Sequence, residues 1–337
     1  MQRPLPDFDA SLLLSFNVVA PAAAEPLLDV TSADPEPLLT FVRHDIEPDE
    51  AMPSSPRDFA GSHGRFAAPA NAVRRQVQVR AINPRTADEL AGFFRDVSYT
   101  LTDVRLGEAV PPIKVERVPD DLAGKDGSVR KALFITAILP VILEVNQRVL
   151  AEREQLLFLR DKFSGPAGIS PIERIWLEQL ADRYESPVDK LDKLDELVRR
   201  VDIVPPSMAI AQSGIESGWG TSFAARTGNA LFGQIQSVGR HAVAVPWKPG
   251  AGMPQPFTNV GEAADAYVSN LNTHPAYSAF RSERAVMRDR GEMPDGYRLI
   301  GNLLRYSELG QQYIGFVRQV MREDQLTDFD KARLSSF

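Results

Sequence analysis

In the stretch AQSGIESGWGTS, residues 211 to 222, the one acidic side chain is Glu216. Pro205-Pro206 can open a helix and Gly218 and Gly220 can stop it, which places Glu216 in the last turn. The partial negative charge at a helix C-terminus opposes a carboxylate there. Ile215 precedes the acid and Trp219 follows three residues later, so an indole ring is expected to lie over the carboxyl group and keep water away. Both effects favour the protonated form, and an acid that holds its proton near neutral pH can act as a general acid. Breaking a glycosidic bond needs such a donor, because the leaving oxygen must be protonated as an oxocarbenium-like state develops. A glutamate at a helix end is more often a solvated surface residue, so the weight of the reading falls on its neighbours.

Those neighbours suit a sugar. Asn229 and Gln234 offer amide donors and acceptors for acetamido and hydroxyl groups. Trp219, Phe232, Trp247 and Phe257 are candidate flat faces for sugar rings, though each is more often a core residue. Gly218 and Gly220 can take positive φ at the helix exit, and Gly233 allows close backbone approach to a sugar. A second acid is harder to find: from Gly233 to Gly261 there is no Asp or Glu. Glu262 follows, but TNVGEAADAY reads as a helix start, where an acid is explained by the dipole. His241 is a lone loop histidine, and His274, before Pro275, belongs to a turn. No histidine pair has metal-ligand spacing and no phosphate-binding glycine loop occurs, so neither a metal nor a cofactor is expected.

The longer stretch VPPSMAIAQSGIESGWGTSFAARTGNALFGQ, residues 204 to 234, resembles the signature of the glucosaminidase domain of glycoside hydrolase family 73, and in particular its Bax-type branch. FTNVGEAADAYVSNLNTHPAYSAFRSER (257 to 284), LLRYSELGQQYIGFVRQVM (303 to 321) and the upstream RKALFITAILPVILEVNQRVLAERE (130 to 154) extend the resemblance over residues 75 to 330. It implies a lysozyme-like α+β fold, mainly helical with a small β or loop lobe after the Glu216 helix. The activity it implies is hydrolysis of β-1,4 linkages after N-acetylglucosamine in peptidoglycan. Glu216 stands where the family has its proton donor. Tyr306, in the YSE stretch, matches the family's tyrosine near the scissile sugar, and Tyr313 lies one to two turns further along what reads as the same helix. Trp219, Asn229, Phe232, Gly233, Gln234 and Tyr313 are then the expected substrate-binding residues.

The resemblance is broken at one point. Many family members carry a second acid in the small lobe, where this chain has SVGRHAVAVPW. Three alternatives follow: the substrate's own 2-acetamido group acts as nucleophile, an acid arrives from a distant segment, or catalysis is weak or absent. A lytic transglycosylase would need the same single acid. A glycan-binding or assembly protein would keep the cleft without hydrolysis.

The elements that must position these residues are mostly helices. Apolar residues at three- and four-residue spacing mark a helix over 130 to 160, with Pro140 expected to kink it or mark a first turn. Two more, Pro171 to Tyr184 and Pro187 to Val201, each open with proline after serine. Further helices are expected at 261 to 273 and 296 to 325. VRRQVQVRAI and DVSYTLTDVRL have the alternation and β-branched content of short strands, AVPPIKVERVPDD reads as edge or loop, and 233 to 258 as a loop or short hairpin. Three parts are expected: a disordered leader (1–74), an N-terminal part with short strands and helices (75–202), and the lysozyme-like domain (203–330).

Residues 1 to 60 hold eleven acids against three bases, so this segment carries −8 of the chain's −7, and the remaining 277 residues sum to +1. Ten of the 26 prolines fall before residue 75, which suits a disordered leader. A near-neutral body can approach an anionic polymer, and no basic face with interleaved aromatics marks a nucleic-acid binder. The absence of cysteine excludes disulfides, thiolate catalysis and cysteine-ligated zinc. No apolar run reaches 18 residues, so no integral membrane segment is expected. SLLLSFNVVAPAAA, residues 11 to 24, is a poor signal peptide behind Asp7 and Asp9. A wall substrate nevertheless implies a periplasmic or extracytoplasmic protein, expected to be a monomer.

Overall fold

The computed structural model describes residues 79–163, 165, 168–186, 191–234 and 254–335. The leader expected over 1–74, most of the loop or hairpin over 233–258, His241, Trp247 and the start of the helix expected from Pro187 lie outside the described residues.

The described chain is α+β and mainly helical. Two short strands, β1 (Arg80–Ile82) and β2 (Ile113–Val115), pair in parallel with Arg80 opposite Ile113. Between them run α1 (Ala87–Asp96) and α2 (Leu101–Arg105). DVSYTLTDVRL, read as a strand, thus contributes the end of α1 and all of α2. Ser98 takes positive φ and turns the chain, and the Thr100 hydroxyl then caps α2 by accepting from the Asp103 amide at 3.2 Å. Side-chain capping outcompeted β propensity here. Conversely, Ile113–Val115 pairs as a strand because Pro111 and Pro112 precede it and cost the ladder no donor.

α3 (Gly127–Phe163) is the longest element, 37 residues and about 55 Å at the ordinary helical rise. Every residue from Phe134 to Leu143 is buried, so the helix crosses the core rather than lining it. It continues through Pro140, which stands mid-helix and not in a first turn. α4 (Pro171–Arg183) opens on a capping box between Ser170 and Glu173, and α5 (Leu191–Arg200) follows.

α6 (Pro206–Ser217) sits at the centre, against α3, α10 (Gly296–Leu299), α11 (Gln311–Glu323) and a 3-10 turn at Leu326–Lys331. All its residues are buried except Ile215, which is half-buried. Ala209, Ala211, Ser213, Gly214 and Ser217 explain how: small side chains let neighbours close in from every side. α7 (Phe223–Gly228), α8 (Val260–Thr273) and α9 (Ser278–Asp289) complete the body. Among the described residues one hydrophobic core runs from Ala87 to Phe329. The helix expected over 296 to 325 is broken instead into α10, a 3-10 turn at Ile300–Asn302, an irregular stretch and α11. Gly310, at φ +49° and ψ −114°, occupies backbone space closed to other residues and restarts the chain. Among the described residues no helix is long and apolar enough to cross a membrane.

Candidate active site

α6 is fixed at both ends. Its leading loop is held by side chains from three helices, α3, α8 and α9. Asn146 of α3 donates to the Val204 carbonyl at 2.8 Å and accepts from the Val204 amide at 3.2 Å. Asn272 of α8 donates to the Asp202 carbonyl at 2.9 Å, and the fully buried Arg284 of α9 donates to the carbonyls of Arg199, Asp202 and Ile203. Arg288 grips the Asp202 carboxylate with two bonds, 3.0 and 2.8 Å, and Arg153 lies 3.6 Å away. Burial opposes charge on Asp202, but the guanidinium groups outweigh it and hold the carboxyl below its ordinary range. Asp330, from the 3-10 turn, accepts from the amide and hydroxyl of Ser207, both at 2.9 Å, and so caps a helix start that Pro205 cannot cap. Burial pushes Asp330 up to about 6. At the other end Gly218 turns left-handed at φ +59°, and the Trp219 amide closes onto the Gly214 carbonyl at 2.8 Å.

This frame carries Glu216 into the interior, 2% exposed. The Tyr313 hydroxyl, from α11, donates to Glu216 Oε1 at 2.8 Å. Burial pushes the acid up to about 8, and the Tyr313 bond pulls partly back. The backbone at Gly233 presses on the other oxygen: a Cβ there would stand 2.6 Å from Oε2, and the residue sits at φ +68°. Gly233 therefore admits the carboxyl group rather than giving a sugar access to the backbone.

The indole is not what shields the acid. Trp219 lies on Gly214, where a Cβ would come within 2.8 Å of the ring, and meets Phe134 edge-on with Lys131 over its face. Gly214 is two residues from Glu216, about 200° around the helix, so the expected cover faces away from the carboxyl. The cover comes instead from a tyrosine cluster. Tyr313 and Tyr306 stack at 5.6 Å, Tyr306 meets Tyr267 at 6.4 Å and Tyr277 at 6.1 Å, and Tyr267 stacks on Phe232 at 4.4 Å.

Tyr306 and Tyr313 lie on different elements, and it is Tyr313 whose hydroxyl meets the acid. Tyr306 donates to the Phe232 carbonyl at 2.7 Å, which fixes the turn that carries Gly233. The Phe232 ring, 1% exposed, is spent on Tyr267. Asn229 caps α7 at φ +51° and donates to the Phe257 and Thr258 carbonyls at 3.0 and 3.3 Å, while its Oδ1 is buried without a partner. Gln234 also has a buried, unpartnered Oε1, and its carbonyl accepts from the Gln255 amide at 2.9 Å. Glu262 is the N-terminal acid of α8, accepting from the Thr258 amide and exchanging bonds with Asn259, and His274 Nδ1 accepts from the Ala276 amide within its turn. Two participants escaped the sequence reading. Gln212 and Tyr267 are both buried and bonded to each other at 2.7 Å, and Gln212 reaches Tyr313 at 3.1 Å. The signal for Gln212 was its spacing, four residues before Glu216 and hence on the same helix face.

Among the described residues no cluster of histidine and acids could hold a metal. A cleft lined by Arg80, Phe93, Tyr99 and Pro112 lies in the N-terminal part and includes none of the candidates.

The site is thus a glutamic acid buried at the end of α6 and covered by tyrosines. Residues 192–314 match the Glucosaminidase family, described as mannosyl-glycoprotein endo-beta-N-acetylglucosaminidase. The chain is 36% identical over 217 residues to Protein bax of Escherichia coli (strain K12), covering 63% of this chain and 76% of that protein. The chain belongs to the Bax-type glucosaminidase-domain proteins of glycoside hydrolase family 73. No solved structure matches it.

Proposed function

We propose that the protein is an endo-β-N-acetylglucosaminidase that hydrolyses β-1,4 bonds in peptidoglycan glycan strands, with Glu216 as the general acid. The observation that carries this reading is the state of Glu216: 2% exposed, pushed up to about 8 by burial, and held by a neutral tyrosine rather than a cation. At neutral pH such an acid has a proton to give. Once it gives that proton to the leaving oxygen, the Tyr313 bond becomes a bond to a carboxylate and strengthens. Tyr313 thus offsets part of the burial cost of the carboxylate left after transfer, which is the direction catalysis requires. Tyr306 contributes by holding the Phe232 carbonyl and, with it, the Gly233 turn against Oε2. Such a substrate puts the working protein outside the cytoplasmic membrane, with glycan strands as its partner.

One observation favours a second reading. No acid lies between Gly233 and Gly261, and a lytic transglycosylase needs only one, because the sugar's own hydroxyl attacks in place of an activated water. Mass spectrometry of wall fragments separates the two. Fragments ending in reducing N-acetylglucosamine support hydrolysis, and 1,6-anhydro muramic ends support the transglycosylase. Either activity should disappear in Glu216→Gln. Clearing of peptidoglycan gels by that variant at the wild-type rate overturns the assignment of the acid, and binding by both proteins with clearing by neither replaces the enzyme with a glycan-binding protein.

A further inference from the structure

We propose that Gln212 and Tyr267 are positioning residues that, acting through Tyr313, keep the Glu216 proton on Oε2. This rests on the reading of Glu216 as the general acid. The geometry is a chain of three hydrogen bonds that all donate the same way: Tyr267 hydroxyl to Gln212 Oε1 at 2.7 Å, Gln212 Nε2 to the Tyr313 hydroxyl oxygen at 3.1 Å, and the Tyr313 hydroxyl to Glu216 Oε1 at 2.8 Å. All four side chains are buried, so water does not compete for these groups.

The direction follows from counting donors and acceptors. A side-chain amide has one accepting end and one donating end, and a tyrosine hydroxyl has one proton to place. With Gln212 Oε1 toward Tyr267, each tyrosine proton of the chain has an acceptor. Turn the amide over and Nε2 donates to Tyr267, whose own proton then loses the acceptor it has in Gln212 Oε1. In that arrangement Gln212 Oε1 would compete with Glu216 Oε1 for the Tyr313 proton, and whenever it won, protonated Glu216 would turn its own proton onto the Tyr313 oxygen. The leaving oxygen of a substrate would find no donor. Tyr267 therefore selects the orientation of Gln212, Gln212 orients the hydroxyl of Tyr313, and Tyr313 occupies Oε1. The oxygen that remains for the proton is Oε2, which faces Gly233. Tyr267 is itself clamped, stacked on Phe232 and edge-on to Tyr306, so the start of the chain does not wander.

The test uses the whole protein and two readouts. In ¹³C-carboxyl NMR of glutamate-labelled protein, the Glu216 signal is identified by its absence in Glu216→Gln and titrated in the wild type, Gln212→Leu and Tyr267→Phe. Tyr267→Phe removes a single oxygen and keeps the stacked ring, so it reports on the chain even where Gln212→Leu does not fold. With the chain cut, Tyr313 no longer favours Glu216, and the Glu216 midpoint should rise by about half a pH unit or more. The high-pH limb of kcat/KM on peptidoglycan should move the same way, while kcat falls about tenfold with KM within about twofold. Variants that lose activity or stability with an unmoved Glu216 midpoint would show that both residues merely fill space, overturning the proposal. A wild-type protein that cleaves no glycan would defeat the enzymatic reading instead, and the NMR midpoints would still decide whether the chain orders the proton.

Discussion

Replacing Glu216 with glutamine should make the protein more stable, by an amount that grows with pH. Glu216 titrates at about 8 in the fold against 4.5 for an ordinary glutamic acid, and burial is the cause. A carboxyl group with a raised folded value keeps its proton in the native state where the unfolded chain has released it. Between 4.5 and about 8 the native state therefore binds more protons, and stability falls as pH rises. The slope for one such group is about 1.4 kcal/mol per pH unit. By pH 7 the wild type should have lost on the order of 3 kcal/mol relative to its stability at pH 4, and above pH 8 the loss should level off. Glutamine has the same shape, keeps an oxygen for Tyr313 and does not titrate. Urea unfolding of both proteins at pH 4, 5.5, 7 and 8.5, compared as a difference, cancels the contribution of other titrating groups such as Asp330. The two stabilities should nearly coincide at pH 4 and diverge above it. A difference that stays flat across this range would mean that Glu216 ionises in the fold as it does in the open chain, and the buried-acid argument would fail with it.

Two other substitutions probe the surroundings. Gly233→Ala places a Cβ 2.6 Å from Glu216 Oε2 on a residue at φ +68°, so it should destabilise by about 1 to 3 kcal/mol and cut peptidoglycan clearing by about a hundredfold. Unimpaired clearing would show that the carboxyl tolerates displacement. Glu262→Ala removes the carboxylate that accepts from the Thr258 amide and from the Asn259 side-chain amide, so it should cost about 1 kcal/mol in unfolding and leave clearing within about twofold. Loss of clearing by a folded Glu262→Ala protein would make Glu262 the missing second acid.

Much of the frame was legible because its signals are local. Serine before Pro171, Pro206 after Pro205 and glycine at 218 are start and stop marks that act within one turn, and the structure has α4 and α6 where they stand. Where the reading failed, a competing local preference or a tertiary requirement decided. Thr100 with Asp103 made a helix of residues whose β-branching suggested a strand, and Gly310 restarted the chain where the apolar spacing ran on. At Gly301 an added Cβ would meet the Arg318 guanidinium at 2.8 Å, a constraint that exists only once α11 has folded back.

The acid itself was legible for a reason that turned out to be half right. Its position in the last turn of α6 and its burial were expected, but the burial was assigned to Trp219, the nearest large apolar side chain in sequence. Helical geometry argues the other way: after Gly218 turns left-handed the chain reverses, and the indole falls on Gly214 instead of on the face that carries Glu216. That face is shared by positions four apart, and it is Gln212 that shares it. A buried amide with both ends satisfied by tyrosines from α8 and α11 cannot be read from one helix, because its partners lie 55 and 101 residues away in sequence. The tyrosines looked like ordinary core residues for the same reason. Their rings fill the space between helices as any aromatic would, and only the assembled fold shows three hydroxyl and amide groups ending in a line on an acid that burial pushes toward its neutral form.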